Sequence, residues 1–109
     1  MNIEVVNKEK FCIIRINDIV TQDTDLTSLK HEAQSQVNCG NVHIALSFTK
    51  DSNFYSRTIA VIVQILGLVK EFGGGLAIVH PNSDMLEMIQ LVGLGKIIEM
   101  YTSEDVVTF

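Results

Sequence analysis

Basic residues are scarce in this chain. Its 109 residues hold 8 Lys and Arg against 13 Asp and Glu, a net charge of −5. The basic residues are scattered singly, and the nearest approach to a cluster is Lys8 and Lys10 with Glu9 between them. A nucleic-acid backbone is bound by several Lys or Arg on one face, which displace its counterions. A nucleic-acid partner is therefore not expected, nor is an anionic membrane surface. Cysteine is also scarce, because Cys12 and Cys39 are too few and too far apart for a zinc site or a disulfide framework. Cys12 sits in an apolar strand pattern and reads as a small core residue. No long hydrophobic run is present. The densest stretch, residues 59–69, is interrupted by Gln64 and Gly67 and falls well short of the roughly 20 residues needed to span a bilayer. The opening MNIEVVNKEK lacks the apolar segment of a signal peptide. A soluble, cytoplasmic chain without membrane insertion is the expectation.

What is there suffices for a core. Hydrophobic residues make up 47% of the sequence, and the length fits one domain, residues 1–109, since domains commonly run to about 100–150 residues. Residues 3–6 and 11–16 read as two strands around the polar turn Asn7-Lys8-Glu9-Lys10. Asp23 and Thr24 offer caps for a helix to about Val37, whose apolar side is Leu26, Leu29, Ala33 and Val37. Cys39-Gly40-Asn41 stops it. Residues 42–48 alternate as a third strand, with Val42, Ile44, Leu46 and Phe48 opposite His43, Ala45 and Ser47.

Residues 56–72 pull in two directions. Ile59, Val61, Ile62, Val63 and Ile65 favour a strand locally. The stretch is nevertheless too long for a typical strand and has no turn signal, and Arg57, Ala60, Gln64, Gly67 and Glu71 fall on one helical stripe. The pattern predicts a long helix with one narrow solvated face and a core stripe that includes Ile59, Ile62, Val63, Leu66 and Val69. Gly73-Gly74-Gly75 ends it. A fourth strand over residues 76–79 follows, then a helix from Asn82 or Ser83 to about Val92 carrying Met85, Met88, Ile89 and Val92 inward. Residues 97–100 read as a short fifth strand, and Ser103 as the cap of a last turn through Val107. Strands alternating with helices imply parallel pairing after residue 42. The expected fold class is α/β: a mixed sheet of about five strands with an N-terminal hairpin and helices packed mainly on one face.

Motifs of catalysis and metal binding are missing. Phosphate-binding glycines follow a strand and open a helix, whereas Gly73 to Gly75 follow a helix and precede a strand, so they read as a helix stop. Gly93-Leu94-Gly95 fails likewise. Asp23 and Asp25 are spaced like the start of a calcium loop, but the sixth position is Ser28 rather than Gly and the twelfth is Gln34 rather than Glu. His31, His43 and His80 have no ligand-like spacing. No G-x-S-x-G elbow occurs, and no Ser or Cys has a base recognisable in the sequence. Neither a catalytic residue, a metal nor a cofactor is expected.

Ser56 stands where the polar connection 49–57 meets the apolar helix. One reading is an N-cap, whose hydroxyl satisfies a free amide for about 1 kcal/mol. The other is a phosphoacceptor, since a phosphate there gains from the helix dipole while adding close to two negative charges at an exposed corner. Residues 53–58, with Asn53, Tyr55, Arg57 and Thr58, and the loop 18–24, with Asp18 and Asp23, both follow strands. They are expected at one end of the sheet, as a candidate partner-binding surface.

Several separated segments then resemble one family, the STAS domain of the bacterial anti-sigma-factor antagonists. The family pattern runs without a gap from residue 43 to residue 98. His43-Ile44-Ala45-Leu46 is similar to its central strand, LVKEFGG at 68–74 to the end of its long helix, and Gly93-Leu94-Gly95-Lys96-Ile97-Ile98 to its G-L-x-K-I-I signature. Before residue 43 only the order strand–turn–strand–helix corresponds. The resemblance implies phosphorylation by an anti-sigma serine kinase at the start of the long helix, in a D-S-S-G-L-G motif. The phosphate there blocks capture of the anti-sigma factor. The matching residues are Tyr55-Ser56-Arg57-Thr58-Ile59-Ala60, of which only Ser56 is retained. Thr58 and Ala60 fill space that the glycines leave for a close backbone approach, and Arg57 puts a long cation where the family has a small neutral residue.

Three functions follow. The first is a non-catalytic partner-switching regulator of transcription that binds an anti-sigma factor or related serine kinase, with Ser56 as its switch. The second is a STAS adaptor or assembly subunit without a phospho-switch. The third is a small-molecule or lipid-binding module using the apolar helix 59–69. A homodimer through the exposed side of the long helix competes with the loop surface.

Overall fold

A computed structural model describes residues 1–109, and its organisation begins with two strands, β1 (Ile3–Asn7) and β2 (Cys12–Ile16), paired antiparallel with Ile3 opposite Ile16 and Asn7 opposite Cys12. The chain continues through α1 (Thr27–Asn38), β3 (His43–Ser47), α2 (Ser56–Glu71), β4 (Gly75–Val79), α3 (Ser83–Leu91) and β5 (Glu99–Tyr101), and a single 3-10 turn follows at Glu104–Val106. The sheet order is β1-β2-β3-β4-β5. The pairs β2–β3, β3–β4 and β4–β5 are all parallel. The expected mixed five-strand α/β sheet is what forms.

Alternation along the strands sorts their side chains onto two faces. Cys12, Ile14, Ile16, Ile44, Leu46, Leu76 and Ile78 meet Leu29, Ala33 and Val37 of α1, Ile62, Ile65, Leu66 and Val69 of α2, and Met85 and Ile89 of α3 in one buried cluster. All three helices thus cover the same face. The opposite face carries Ile13, Ala45, Ala77 and Val79, and the C-terminal segment closes over it with Val107. Phe109 seals that layer, its ring 5.7 Å from Phe11 and 5.2 Å from His43 between centroids.

The long apolar segment is a helix of 16 residues despite its β-branched content. Propensity is a weak preference that tertiary burial overrides. Arg57, Ala60, Gln64, Gly67 and Glu71 all lie exposed, as the stripe predicts. The core side differs at two positions: Val63 is 45% exposed, and Ile65 is buried in its place. Ile59 is only partly buried. Each helical position turns about 100° from the last. With almost every position from 59 to 69 apolar, the side facing the sheet is chosen by packing.

Other boundaries also shift. α1 starts at Thr27, after Leu26, so Asp23 and Thr24 do not cap it. Thr24 closes a local turn instead, its hydroxyl accepting from the Thr21 amide at 2.8 Å. The Asp25 carboxylate accepts from the Thr27 amide and hydroxyl at 2.9 and 2.6 Å. α3 ends at Leu91, which leaves Val92 43% exposed rather than inward. β5 begins at Glu99, two residues later than its pattern suggests, with Ile97 exposed and Ile98 buried.

The glycine stop works through two different constraints. Gly73 has φ +78, in the left-handed region where only glycine sits without cost. Gly74 has an ordinary φ but no room, because a Cβ there would lie 1.8 Å from the carbonyl oxygen of Val42.

Candidate functional site

The loops after β2, β3 and β4 leave the same end of the sheet, because parallel strands all finish there. The strand order never reverses, so no crevice opens of the kind that binds ligands at a switch point in doubly wound sheets. The loops close on one another instead. Ser52, wholly buried, accepts from the Val20 amide through its Oγ at 2.8 Å and shares a 2.7 Å hydrogen bond with Thr49 Oγ1. The Asn53 amide donates back to the Val20 carbonyl at 3.3 Å. Below this contact Phe48 and Phe54 meet edge-on, with centroids 5.0 Å apart. Burial of both rings holds the connection down, so that it delivers Asn53, Tyr55 and Ser56 to the surface.

Those residues lead into α2. Tyr55 occupies the N-cap position with an extended backbone, and its amide donates to Thr58 Oγ1 at 3.3 Å. Ser56 is thus the first residue inside the helix and not its cap. It stands exposed beside the exposed Arg57, with Asn53 and Tyr55 half-buried. Thr58 corrects the sequence reading: it is 1% exposed, so it shapes the surface by fixing Tyr55 and offers a partner no contact of its own. The N-terminus of α2 has no acidic residue in its first turn, which leaves the positive end of the helix dipole unbalanced.

The loop after β2 supplies the other side. Asp18 is exposed, and its carboxylate accepts from the Asn2 amide at 2.7 Å, which ties the loop to the start of β1. Asp23 is exposed, its amide donating to Thr21 Oγ1 at 3.4 Å. Asp25, Thr27, Lys30, Arg57, Val61 and Gln64 line a shallow groove between α1 and α2. In it the Asp25 carboxyl is held below the usual carboxylate range, first by the Thr27 hydroxyl and amide and to a lesser degree by Arg57. Asn53, Tyr55, Ser56 and Arg57 are therefore brought together with the loop 18–24, and one groove joins Arg57 to the start of α1.

Three residues of this end were not legible beforehand as site residues. Ser52 is one of several polar residues in its connection, and Asn82 reads only as a cap. His80 has φ +38, and its Nε2 lies 2.9 Å from Ser47 Oγ, a serine–histidine contact made across two strands that spacing alone does not reveal. Ser47 is 6% exposed. The nearby Glu104 carboxylate has both oxygens engaged by Arg15. The Ser47–His80 pair therefore braces the end of β4 against β3.

No group of three His, Cys, Asp or Glu residues stands close enough to hold a metal ion, and no helix is long and apolar enough to cross a membrane. The apolar side of α2 is spent on the sheet through Ile62, Ile65, Leu66 and Val69.

No family model matches the sequence, and no curated protein matches it. Solved structures do match. The crystal structure of TM1081 from Thermotoga maritima, described as a candidate anti-sigma factor antagonist, superposes with a TM-score of 0.82 at 23% identity, over 94% of this chain and 88% of that one. SpoIIAA from Bacillus, in its phosphorylated form, gives 0.70 at 14% identity, covering 95% of both chains. The anti-sigma factor antagonist SpoIIAA in its unphosphorylated form gives 0.73 at 12%, over 95% of this chain and 91% of that one. The chain has the fold of the anti-sigma factor antagonists, the STAS domain.

Proposed function

We propose that this chain is a non-catalytic regulator that binds an anti-sigma factor or related serine kinase through the loop cluster at the start of α2, with Ser56 as the phosphoacceptor that releases the partner. The observation that carries the reading is the position of Ser56. It is exposed at the first turn of α2, beside Arg57, on a connection anchored by buried Phe48, Ser52 and Phe54. A phosphate there meets an unbalanced helix N-terminus and a guanidinium, both of which stabilise an anion locally. It also places close to two negative charges on the face a partner must desolvate. The likeness to SpoIIAA, solved both phosphorylated and unphosphorylated, supports the same reading. Such a regulator acts in the cytoplasm of a bacterium.

The second reading, an adaptor without a switch, is favoured by Tyr55, Arg57, Thr58 and Ala60 in place of the family's D-S-S-G-L-G residues. Thr58 in particular is a buried capping partner where the family has a glycine. One experiment separates the two. The protein is incubated with the anti-sigma kinase encoded nearest its own gene; phosphate on the Ser56 tryptic peptide, with binding lost in Ser56→Asp and retained in Ser56→Ala, supports the switch. Unmodified Ser56 with unaltered binding by both variants leaves the adaptor. No binding by the wild-type protein removes both.

A further inference from the structure

Asn82 uses its whole side-chain amide. Its Oδ1 accepts from the Met85 amide at 2.8 Å and so caps α3. Its Nδ2 donates to two backbone carbonyls of the loop after β3, Lys50 at 2.9 Å and Ser52 at 2.8 Å. The next link is Ser52 itself, whose Oγ receives the Val20 amide from the loop after β2 at 2.8 Å, while the Asn53 amide returns to the Val20 carbonyl. A chain of hydrogen bonds therefore runs from the first turn of α3 through the loop that leads to Ser56 and on to the loop after β2. Ser52 is its buried middle and leaves no water to replace a broken link.

We infer that Asn82 and Ser52 clamp the loops after β2, β3 and β4 into one cooperative unit, so that the first turn of α3 opens and closes together with the loop that leads to Ser56. Asn82 is in this sense a positioning residue: it touches neither Ser56 nor Val20, yet the loop it holds leads into Ser56 and is bonded to Val20 through Ser52 and Asn53. A partner or a modification that rearranges residues 49–55 consequently loosens the α3 cap, and a change at α3 reaches the loop face. The inference goes beyond the docking reading and concerns the free protein, so it stands or falls without any partner.

The test is native-state amide hydrogen exchange of the free chain, followed by NMR at Val20, Asn53 and Met85, whose amides donate within the network. In the wild type the three are expected to share one opening reaction, with the same dependence on low concentrations of urea. Asn82→Asp keeps the acceptor for Met85 and removes both donors to Lys50 and Ser52. Exchange at Val20 and Asn53 is then expected to quicken by about tenfold, while helical amides in the middle of α2 keep their wild-type rates. An end cap with a merely local role would leave Val20 unmoved, since Asn82 makes no bond to that loop. Different urea slopes for the three amides in the wild type overturn the inference, and they do so even should the variant fail to fold. Wild-type exchange at Val20 in a folded Asn82→Asp overturns it equally.

Discussion

Arg15 in β2 grips Glu104 in the C-terminal turn through two parallel hydrogen bonds, from Nε to Oε2 at 2.8 Å and from Nη2 to Oε1 at 2.5 Å. The same guanidinium reaches Glu4 in β1 at 3.1 Å. The pair pins the segment that brings Val107 and Phe109 over the second face of the sheet. The guanidinium hydrogen bonds hold the Glu104 carboxyl below its ordinary value of 4.5. A carboxyl depressed by folding adds stability above its unfolded pKa and loses that stability as the pH falls through its folded one. Glu104→Gln should therefore cost about 1 kcal/mol at neutral pH, the range of a partly exposed bidentate pair. The gap between wild type and variant should narrow as the pH falls below 4.5 toward the depressed folded value. Urea melts at pH 7 and pH 3.5 measure both. A difference that stays constant with pH would show that the ion pair contributes nothing.

The two glycines after α2 should respond differently to alanine. Gly73→Ala places a side chain at positive φ with open space around it, a penalty of about 1 kcal/mol. At Gly74 the new Cβ overlaps the Val42 carbonyl, and backbone on both sides must move, for a loss of about 3 kcal/mol or more. Chemical denaturation ranks them. Equal losses would mean that the close approach of β3 to this turn is relaxed in solution.

The cysteines differ in reactivity for a reason of burial. Cys12 is fully buried, and burial chiefly, with Glu32 adding to it, pushes its thiol up to about 11. Only thiolate reacts, so at pH 8 a thiol reagent should modify the exposed Cys39 and leave Cys12 untouched until the chain unfolds. Two fast thiols in the native protein would contradict the placement of β2 in the core.

Within α2, Ile62→Ala should cost about 3 kcal/mol, the usual range for a buried large-to-small change, because Ile62 is wholly enclosed. Val63→Lys should change stability by less than about 0.5 kcal/mol, as exposed substitutions do. These neighbours show what was legible in the sequence. Element order, helix type and the glycine stop follow from periodicity and from residues with special backbone needs. Which of two adjacent apolar residues faces the sheet does not, since a helix apolar on most sides has no unique buried stripe. The start of α1 was hidden for a similar reason. Thr21 bonds to Thr24 and Asp25 bonds to Thr27, and those turn bonds compete with capping. At the candidate site the meeting of two loops followed from strand alternation. The bonds through Ser52 and Asn82 depend on neighbours 32 and 30 residues away, which no local pattern encodes.

The phosphoacceptor reading makes a claim about stability that is separate from binding. Ser56 is exposed and occupies the first helical position of α2, where the free amides carry the positive end of the dipole and no acidic side chain balances it. Its neighbour Arg57 is also exposed. An aspartate at 56 therefore sits where a negative charge is favoured, by about 0.5 kcal/mol at low ionic strength. For a domain of this length that corresponds to a rise in Tm of roughly 2–4 °C. Ser56→Lys, with the opposite charge at the same exposed position, should lower Tm by a similar amount. Raising the salt concentration should shrink both shifts, because the interaction is screened within about 10 Å at 0.1 M. Calorimetry at two ionic strengths reads all three. If Ser56→Asp lowered Tm as much as Ser56→Lys, the side chain at 56 would be packed rather than free. A phosphate on it would then act by unfolding the start of α2 instead of by blocking a face that stays intact.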